Sequence, residues 1–123
     1  MDTKMVIVWR KDLNVRKGKC MADAAHAGIA WIISRLQESN NKPKFSNQEE
    51  EWMYGGMTKI TLQVENEQEL IDIFQKAKSA GLLAFLIKDA GKTEFGEPTN
   101  CCIGIGPNLS SEIDKITSNL KLY

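Results

Sequence analysis

The residues best suited to chemistry lie in one short stretch near the N-terminus. The chain has a single histidine, His26, shortly after the cations Arg16, Lys17 and Lys19. Histidine exchanges protons near neutral pH, and the free N–H groups at a helix start attract anions. Gly18, between two lysines, lets the backbone approach a bound group closely. The pattern predicts a site for a phosphate or a developing oxyanion, although a solvated cationic loop with a core histidine would look the same.

Helical geometry puts the polar residues of this stretch on one line. At 100° per residue, Lys19, Asp23 and His26 share a narrow stripe of a predicted helix from about residue 18 to residue 38. Small and apolar residues fill the remaining circumference, which predicts a helix buried nearly all round. Cys20 points away from the stripe, and no Gly-x-Ser-x-Gly motif is present. Hydrolysis by this chain would therefore use an activated water.

A second polar cluster, residues 89–94, follows a predicted strand. Loops at strand ends in α/β sheets collect ligand-binding groups. Asp89 could orient a histidine, as the acid of a hydrolytic triad does, and Thr93 could donate a hydrogen bond to a carbonyl oxygen. The alternative is that Asp89, Ala90 and Gly91 only form a turn.

Size and composition indicate one globular domain, residues 1–123, of ordinary apolar content (42%). No apolar run reaches the roughly 18 residues that a membrane helix needs, and the N-terminus does not resemble a signal peptide. Three cysteines without paired spacing argue against a disulfide framework and against zinc, which predicts a cytoplasmic protein without metal or cofactor. The net charge is zero, but residues 1–45 carry nine Lys/Arg against four Asp/Glu, which could direct a polyanion to one face.

Hydrophobic periodicity predicts the element order β-α-α-β-α-β-β-α. The apolar run from Met5 to Trp9 is typical of a buried central strand, and residues 59–64 alternate like a half-buried one. Ser46 or Asn47 and Asn66 are predicted helix caps, as is Ser110, and residues 106–108 are a predicted turn. The sum is an α/β three-layer sandwich with a four-stranded mixed sheet and helices on both faces.

Several short motifs, in order and over nearly the whole chain, resemble the type 2 peptidyl-tRNA hydrolase family. They are residues 4–8 with Arg10, Asp12 and Leu13, then Lys17-Gly18-Lys19, His26-Ala27, residues 77–82, Asp89-Ala90-Gly91-Lys92-Thr93, residues 103–107, and residues 113–122.

The resemblance implies a homodimeric, metal-independent hydrolase that cleaves the ester between a peptide and the 3′ end of its tRNA. It implies catalytic roles for His26, Lys19, Asp89 and Thr93, with either His26 or Asp89 as the base. Substrate or tRNA contacts are implied for the residues around them, namely Arg16, Lys17, Gly18, Asp23, Gly91 and Lys92.

Two differences from the family's usual residues bear on activity. This chain has Asp23 where the family usually has glutamine, and Lys92 where it usually has arginine. A carboxylate at position 23 would either neutralise Lys19 or favour the charged form of His26, and Lys92 lacks the bidentate fork of arginine. We therefore expect a working enzyme with weaker tRNA binding.

Two other functions compete with this hypothesis. The chain could be a non-catalytic RNA- or protein-binding module that retained the fold, or an esterase for another aminoacyl or peptidyl ester. Retention of Lys19, His26, Asp89 and Thr93 together favours the enzyme. A small-ester substrate would show little salt dependence, whereas each tRNA phosphate contacted adds roughly 0.7–0.9 to the logarithmic salt slope of binding.

Overall fold

A mixed β-sheet forms the centre of the fold in the computed structural model, which describes residues 1–92 and 94–123. The elements along the chain are β1 (Thr3–Arg10), α1 (Lys17–Glu38), α2 (Asn47–Tyr54), β2 (Lys59–Val64), α3 (Glu67–Ser79), β3 (Ala84–Asp89), β4 (Thr99–Leu109), α4 (Ser110–Thr117) and β5 (Lys121–Leu122). The strand order is β3-β4-β1-β2-β5. Only β1 and β2 are parallel, and the other neighbouring pairs are antiparallel.

The predicted four-stranded sheet is wrong, because the sheet has five strands. The added strand, β5, is two exposed residues long and pairs with β2. The Gln63 Nε2 donates to the Leu122 carbonyl oxygen at 2.7 Å, which fixes this short edge. Two residues are too few to show a period-2 pattern in the sequence.

Strand β1 divides the core into two sides. Its alternate residues Val6 and Val8 pack with apolar residues of α3 and α4, while Ile7 and Trp9 pack against α1. Met5 lies on the second side with residues of α1 and α2. Because successive strand residues point to opposite faces, helices cover both sides of the sheet and the fold has three layers.

Two of the three predicted helix caps are confirmed. Ser46 forms a capping box with Glu49 at the start of α2, and the Asn66 side chain accepts from the Glu69 N–H at the start of α3. Ser110 is instead the first residue of α4, and its N–H donates to the Asp2 carbonyl oxygen. The predicted turn at residues 106–108 is also wrong.

Those residues continue strand β4, in which Asn108 pairs with Lys4 of β1. The register shifts between Lys4 and Val6, so an irregularity in the ladder accommodates Pro107, which cannot donate a hydrogen bond.

Helix α1 approaches the sheet at Gly104. A β-carbon added at Gly104 would lie 2.4 Å from the Ala27 carbonyl oxygen, and Ala27 is fully buried. Glycine is therefore required here for the close contact of α1 with β4.

The prediction that α1 is buried nearly all round is wrong, since only Asp23, Ala27 and Trp31 of this helix are buried. Met21 is 70% exposed and Ile29 is 53% exposed. Together with nearby residues of α1, α2 and the loop after α2 they form an outward surface, which we call the apolar face and which comprises Met21, Ala25, Ile29, Ile32, Met53 and Met57. Periodicity identified the apolar positions but not which of them the sheet covers.

Nowhere in the described ranges is a helix long and apolar enough to cross a membrane.

We expect the substitution Gly104→Ala to destabilise the protein by about 1–3 kcal/mol, because the new methyl group overlaps backbone atoms of α1 that cannot move independently. Chemical denaturation followed by circular dichroism measures this. Gly18→Ala is the control, since no atom lies within 4 Å of a β-carbon there, and it should be neutral or stabilise by about 0.4–1 kcal/mol. Equal effects of the two substitutions would contradict the close contact.

Candidate active site

The start of α1 and the end of β3 meet at an ion pair that is largely shielded from solvent. The Lys19 Nζ contacts the Asp89 Oδ2 directly and lies 3.8 Å from the Asp23 Oδ1. The side chains of Lys19, Asp23 and Asp89 are only 14%, 10% and 8% exposed. The structure thus brings together three predicted site residues, with two carboxylates sharing one ammonium group.

Local structure explains this arrangement. Lys19 and Asp23 are four residues apart on α1 and therefore lie on one face. Asp89 ends β3, and its Oδ1 accepts a hydrogen bond from the Gly91 N–H at 2.8 Å. Gly91 has φ of 79°, and a β-carbon there would lie 2.1 Å from the Glu97 carbonyl carbon. Only glycine fits at position 91. The loop that follows β3 thereby places the Gly91 N–H where it holds the Asp89 carboxylate.

The two carboxyl groups have different proton affinities. The hydrogen bond from Lys19 lowers the pKa of Asp89 below its ordinary value. Burial, and then the neighbouring Asp89, raise the pKa of Asp23. The hydrogen bond to Asp89 also raises the pKa of Lys19. As the pH falls, Asp23 therefore takes up a proton before Asp89 does.

The start of α1 is partly open to a ligand. Lys17 and Gly18 are exposed, and their N–H groups have no hydrogen-bond partner in the described part of the chain. A cleft beside them is lined by Arg16, Gly18, Lys19, Ala22 and Glu94.

Two contacts near this cleft were not predicted from the sequence. The Glu94 Oε1 accepts from the N–H and the Nε of Arg16 at 3.2 and 3.1 Å, and the backbone donor is the main reason that the pKa of Glu94 is lowered. The Lys19 Nζ also lies 5.7 Å from the centre of the Phe95 ring, within cation–π range. Residue type alone carries no signal for either contact, since both depend on the path of the loop after β3.

His26 lies apart from this ion pair. It is exposed on α1, three residues after Asp23, and no hydrogen bond or ion pair among the described residues joins it to Lys19 or Asp89. Asp89 is thus held by Lys19 and Gly91, whereas the sequence suggested that it could orient a histidine. Lys92 is exposed on the same loop, and Thr93 lies outside the described residues.

Within residues 1–92 and 94–123, no group of three or more His, Cys, Asp or Glu side chains is arranged to hold a metal ion.

The fold and site occur in a chain that matches a known family over nearly all its length. The family model for peptidyl-tRNA hydrolase PTH2 matches residues 3–123. A peptidyl-tRNA hydrolase of Sulfolobus acidocaldarius is 40% identical over 97% of this chain and 98% of that protein. The Methanocaldococcus jannaschii peptidyl-tRNA hydrolase is 42% identical with the same coverage of both. The chain belongs to the PTH2 family of peptidyl-tRNA hydrolases.

Two further relatives extend the comparison. The bovine protein named peptidyl-tRNA hydrolase 2, mitochondrial, is 37% identical over 98% of this chain and 64% of its own length. A solved structure of a protein of unknown function from Agrobacterium tumefaciens strain C58 has a TM-score of 0.61 at 14% identity, covering 100% of this chain and 98% of that one. At that identity the likeness concerns the fold alone.

The Lys19–Asp89 pair makes stability depend on pH. Because the folded-state pKa of Asp89 is lowered from 3.8, the pair stabilises the protein at higher pH, and this is lost as the pH falls through the folded pKa. We expect Asp89→Asn to lower the melting temperature at neutral pH, and the difference from wild type to shrink below pH 3.8. Calorimetry at several pH values measures this, and a difference that is constant with pH would contradict the assignment.

Proposed function

We propose that this peptidyl-tRNA hydrolase cleaves the ester bond by attack of a water molecule at the Lys19–Asp89 pair. The observation that carries the proposal is the buried ion pair at the open start of α1, in a chain of this family. An ammonium group and free N–H groups together suit the oxyanion that forms when water adds to an ester carbonyl. A well-placed donor of this kind contributes roughly 3–4 kcal/mol to transition-state binding.

The geometry favours His26 over Asp89 as the base that takes the proton from water. Asp89 already accepts hydrogen bonds from Lys19 and the Gly91 N–H, and its lowered pKa makes it a poor proton acceptor at neutral pH. His26 is exposed on the same helix, so a bound substrate can reach it. Asp89 then positions Lys19, and Thr93 remains a prediction.

Contacts to the tRNA are assigned to the exposed residues around the pair. Arg16, Lys17 and Lys92 carry positive charge at the helix start and on the loop after β3, which suits the phosphates of an acceptor end. Gly18 leaves the backbone accessible at the edge of the cleft, and Gly91, on the loop after β3, is a proposed tRNA contact. Arg16 reaches a tRNA phosphate only in competition with Glu94, which it binds in the free protein.

We expect His26→Ala to lower the rate of N-acetylaminoacyl-tRNA cleavage by about 10²–10⁴-fold, and Lys19→Met by about 10²–10³-fold. Release of deacylated tRNA in the presence of a chelator measures both and tests metal independence. Lys78→Met, an exposed lysine of α3, is the control and should retain full activity.

The same assay separates the enzyme from a binding module. Wild-type protein that binds tRNA without cleaving it would support the non-catalytic alternative. Cleavage that survives both active-site substitutions would instead show that another group performs the chemistry.

We also propose that two copies of the chain associate through the apolar face. The face is lined almost entirely by apolar side chains, and methionines at three positions (Met21, Met53 and Met57) can adapt to a partner surface. A large exposed apolar patch indicates an interaction site. In a twofold-symmetric dimer the same patch covers itself, so one surface satisfies both copies.

We expect Ile29→Glu to weaken self-association at least about 100-fold, since it places an unpaired charge in the interface of each copy. Sedimentation velocity over a range of concentrations measures this. Leu122→Glu, which adds the same charge on the exposed strand β5, is the control and should leave the association unchanged. A wild-type monomer at all concentrations would refute the dimer.

A cytoplasmic location is also proposed. Its support is that Cys20, Cys101 and Cys102 are free thiols, as is usual in reducing compartments. The bovine relative named as mitochondrial shows that the family is not confined to one compartment.

A further inference from the structure

Asp23 is the one member of the buried cluster that the proposed chemistry leaves without a role. Its side chain is turned inward, and its Oδ2 is inaccessible to solvent and has no hydrogen-bond partner among the described residues. Its Oδ1 lies at 3.8 Å from the Lys19 Nζ, while Asp89 makes the closer contact. A buried carboxylate that lies farther than Asp89 from the Lys19 ammonium is costly when ionised.

The groups that face Asp23 come from three elements. Lys19 lies on α1, Asp89 ends β3, and Cys101 and Cys102 lie on β4, where the Cys102 thiol donates to the backbone carbonyl oxygen of Asp23. The Asp23 Oδ1 and the Asp89 Oδ2 both lie within 3.8 Å of the same Lys19 Nζ, so the two carboxyl groups are close neighbours. Two carboxyl groups this close cannot both be ionised without repulsion, so they hold a proton between them more readily than separated aspartates do.

We propose that Asp23 is a proton-linked positioning residue, which in its neutral form donates a hydrogen bond to Asp89 and leaves Lys19 with a single anionic partner. The inference rests on the proposed roles of Lys19 and Asp89. Neutral Asp23 offers an O–H donor to the neighbouring Asp89 carboxylate. Ionised Asp23 instead adds a second negative charge beside Lys19, where the oxyanion of the substrate must form.

The sign of the pH effect follows from this geometry. Burial and Asp89 raise the pKa of Asp23 above 3.8, so the proton persists to a higher pH than on a free aspartate. The favourable neutral form is present at low pH and is lost as the pH rises through the pKa of Asp23. Glutamine or asparagine at this position has no such ionisation.

The test compares wild type with Asp23→Asn in the peptidyl-tRNA assay. We expect the ratio of kcat/KM, variant over wild type, to be near unity where wild-type Asp23 is neutral and to rise with pH as Asp23 ionises, to about fivefold, the effect of one unit charge near 4 Å in a highly polar medium. The ratio removes the contribution of His26, which both proteins share. Asp72→Asn, the same change on the exposed surface of α3, should give a flat ratio.

A flat ratio for Asp23→Asn, with active wild-type enzyme, would overturn the inference while leaving the proposed function intact. Inactive wild-type enzyme would instead overturn the proposed function. Carbon-13 NMR titration of the aspartate carboxyl groups in the wild-type protein tests the proton directly, even if the variant fails to fold. Asp23 should titrate at higher pH than Asp89, and the reverse order would refute the inference.

Discussion

The site depends on the close contact between α1 and the sheet at Gly104. The Ala27 carbonyl oxygen occupies the space that a side chain at Gly104 would fill. This contact fixes how closely α1 packs on the sheet and how the helix is rotated about its axis. Asp23 and Lys19 precede Ala27 by about one and two helical turns on neighbouring positions. Their side chains therefore extend over the end of β3, where Asp89 is held by the Gly91 N–H. A tight backbone contact in the core thus determines how close the charged side chains of the site lie to one another.

The stability of the Lys19–Asp89 ion pair depends on two opposing effects. Lys19 and Asp89 lose most of their contact with solvent, which is unfavourable for two charged groups. Their attraction and the second hydrogen bond to the carboxylate, from the Gly91 N–H, offset this cost. Asp23 adds a further carboxylate but no further cation. The cluster of Lys19, Asp23 and Asp89 therefore has one anionic group in excess when both carboxyls are ionised.

Interactions between residues close in sequence predicted much of the fold. They also placed two of the three residues of the ion cluster, Lys19 and Asp23, on one face of a helix. The apolar run of β1, the capping residues Ser46 and Asn66 and the helical stripe of Lys19 and Asp23 all follow from interactions within a few residues. Strand β5 was missed because two residues carry no period, and the continuation of β4 was missed because Gly106 and Pro107 usually end a strand. The pairing of Lys19 with Asp89 spans seventy residues, so only the packing of α1 on the sheet reveals it.

The exposed side of α1 shows what hydrophobic periodicity can and cannot predict. Apolar positions surround most of this helix, and the sequence alone does not distinguish those that contact the sheet from those that face outward. In the structure Ala27 and Trp31 contact the sheet side, whereas Met21 and Ile29 lie on the apolar face. The same helix carries Lys19, Asp23 and His26 on its polar stripe. A partner that covered the apolar face would therefore pack against the same helix that carries the candidate site.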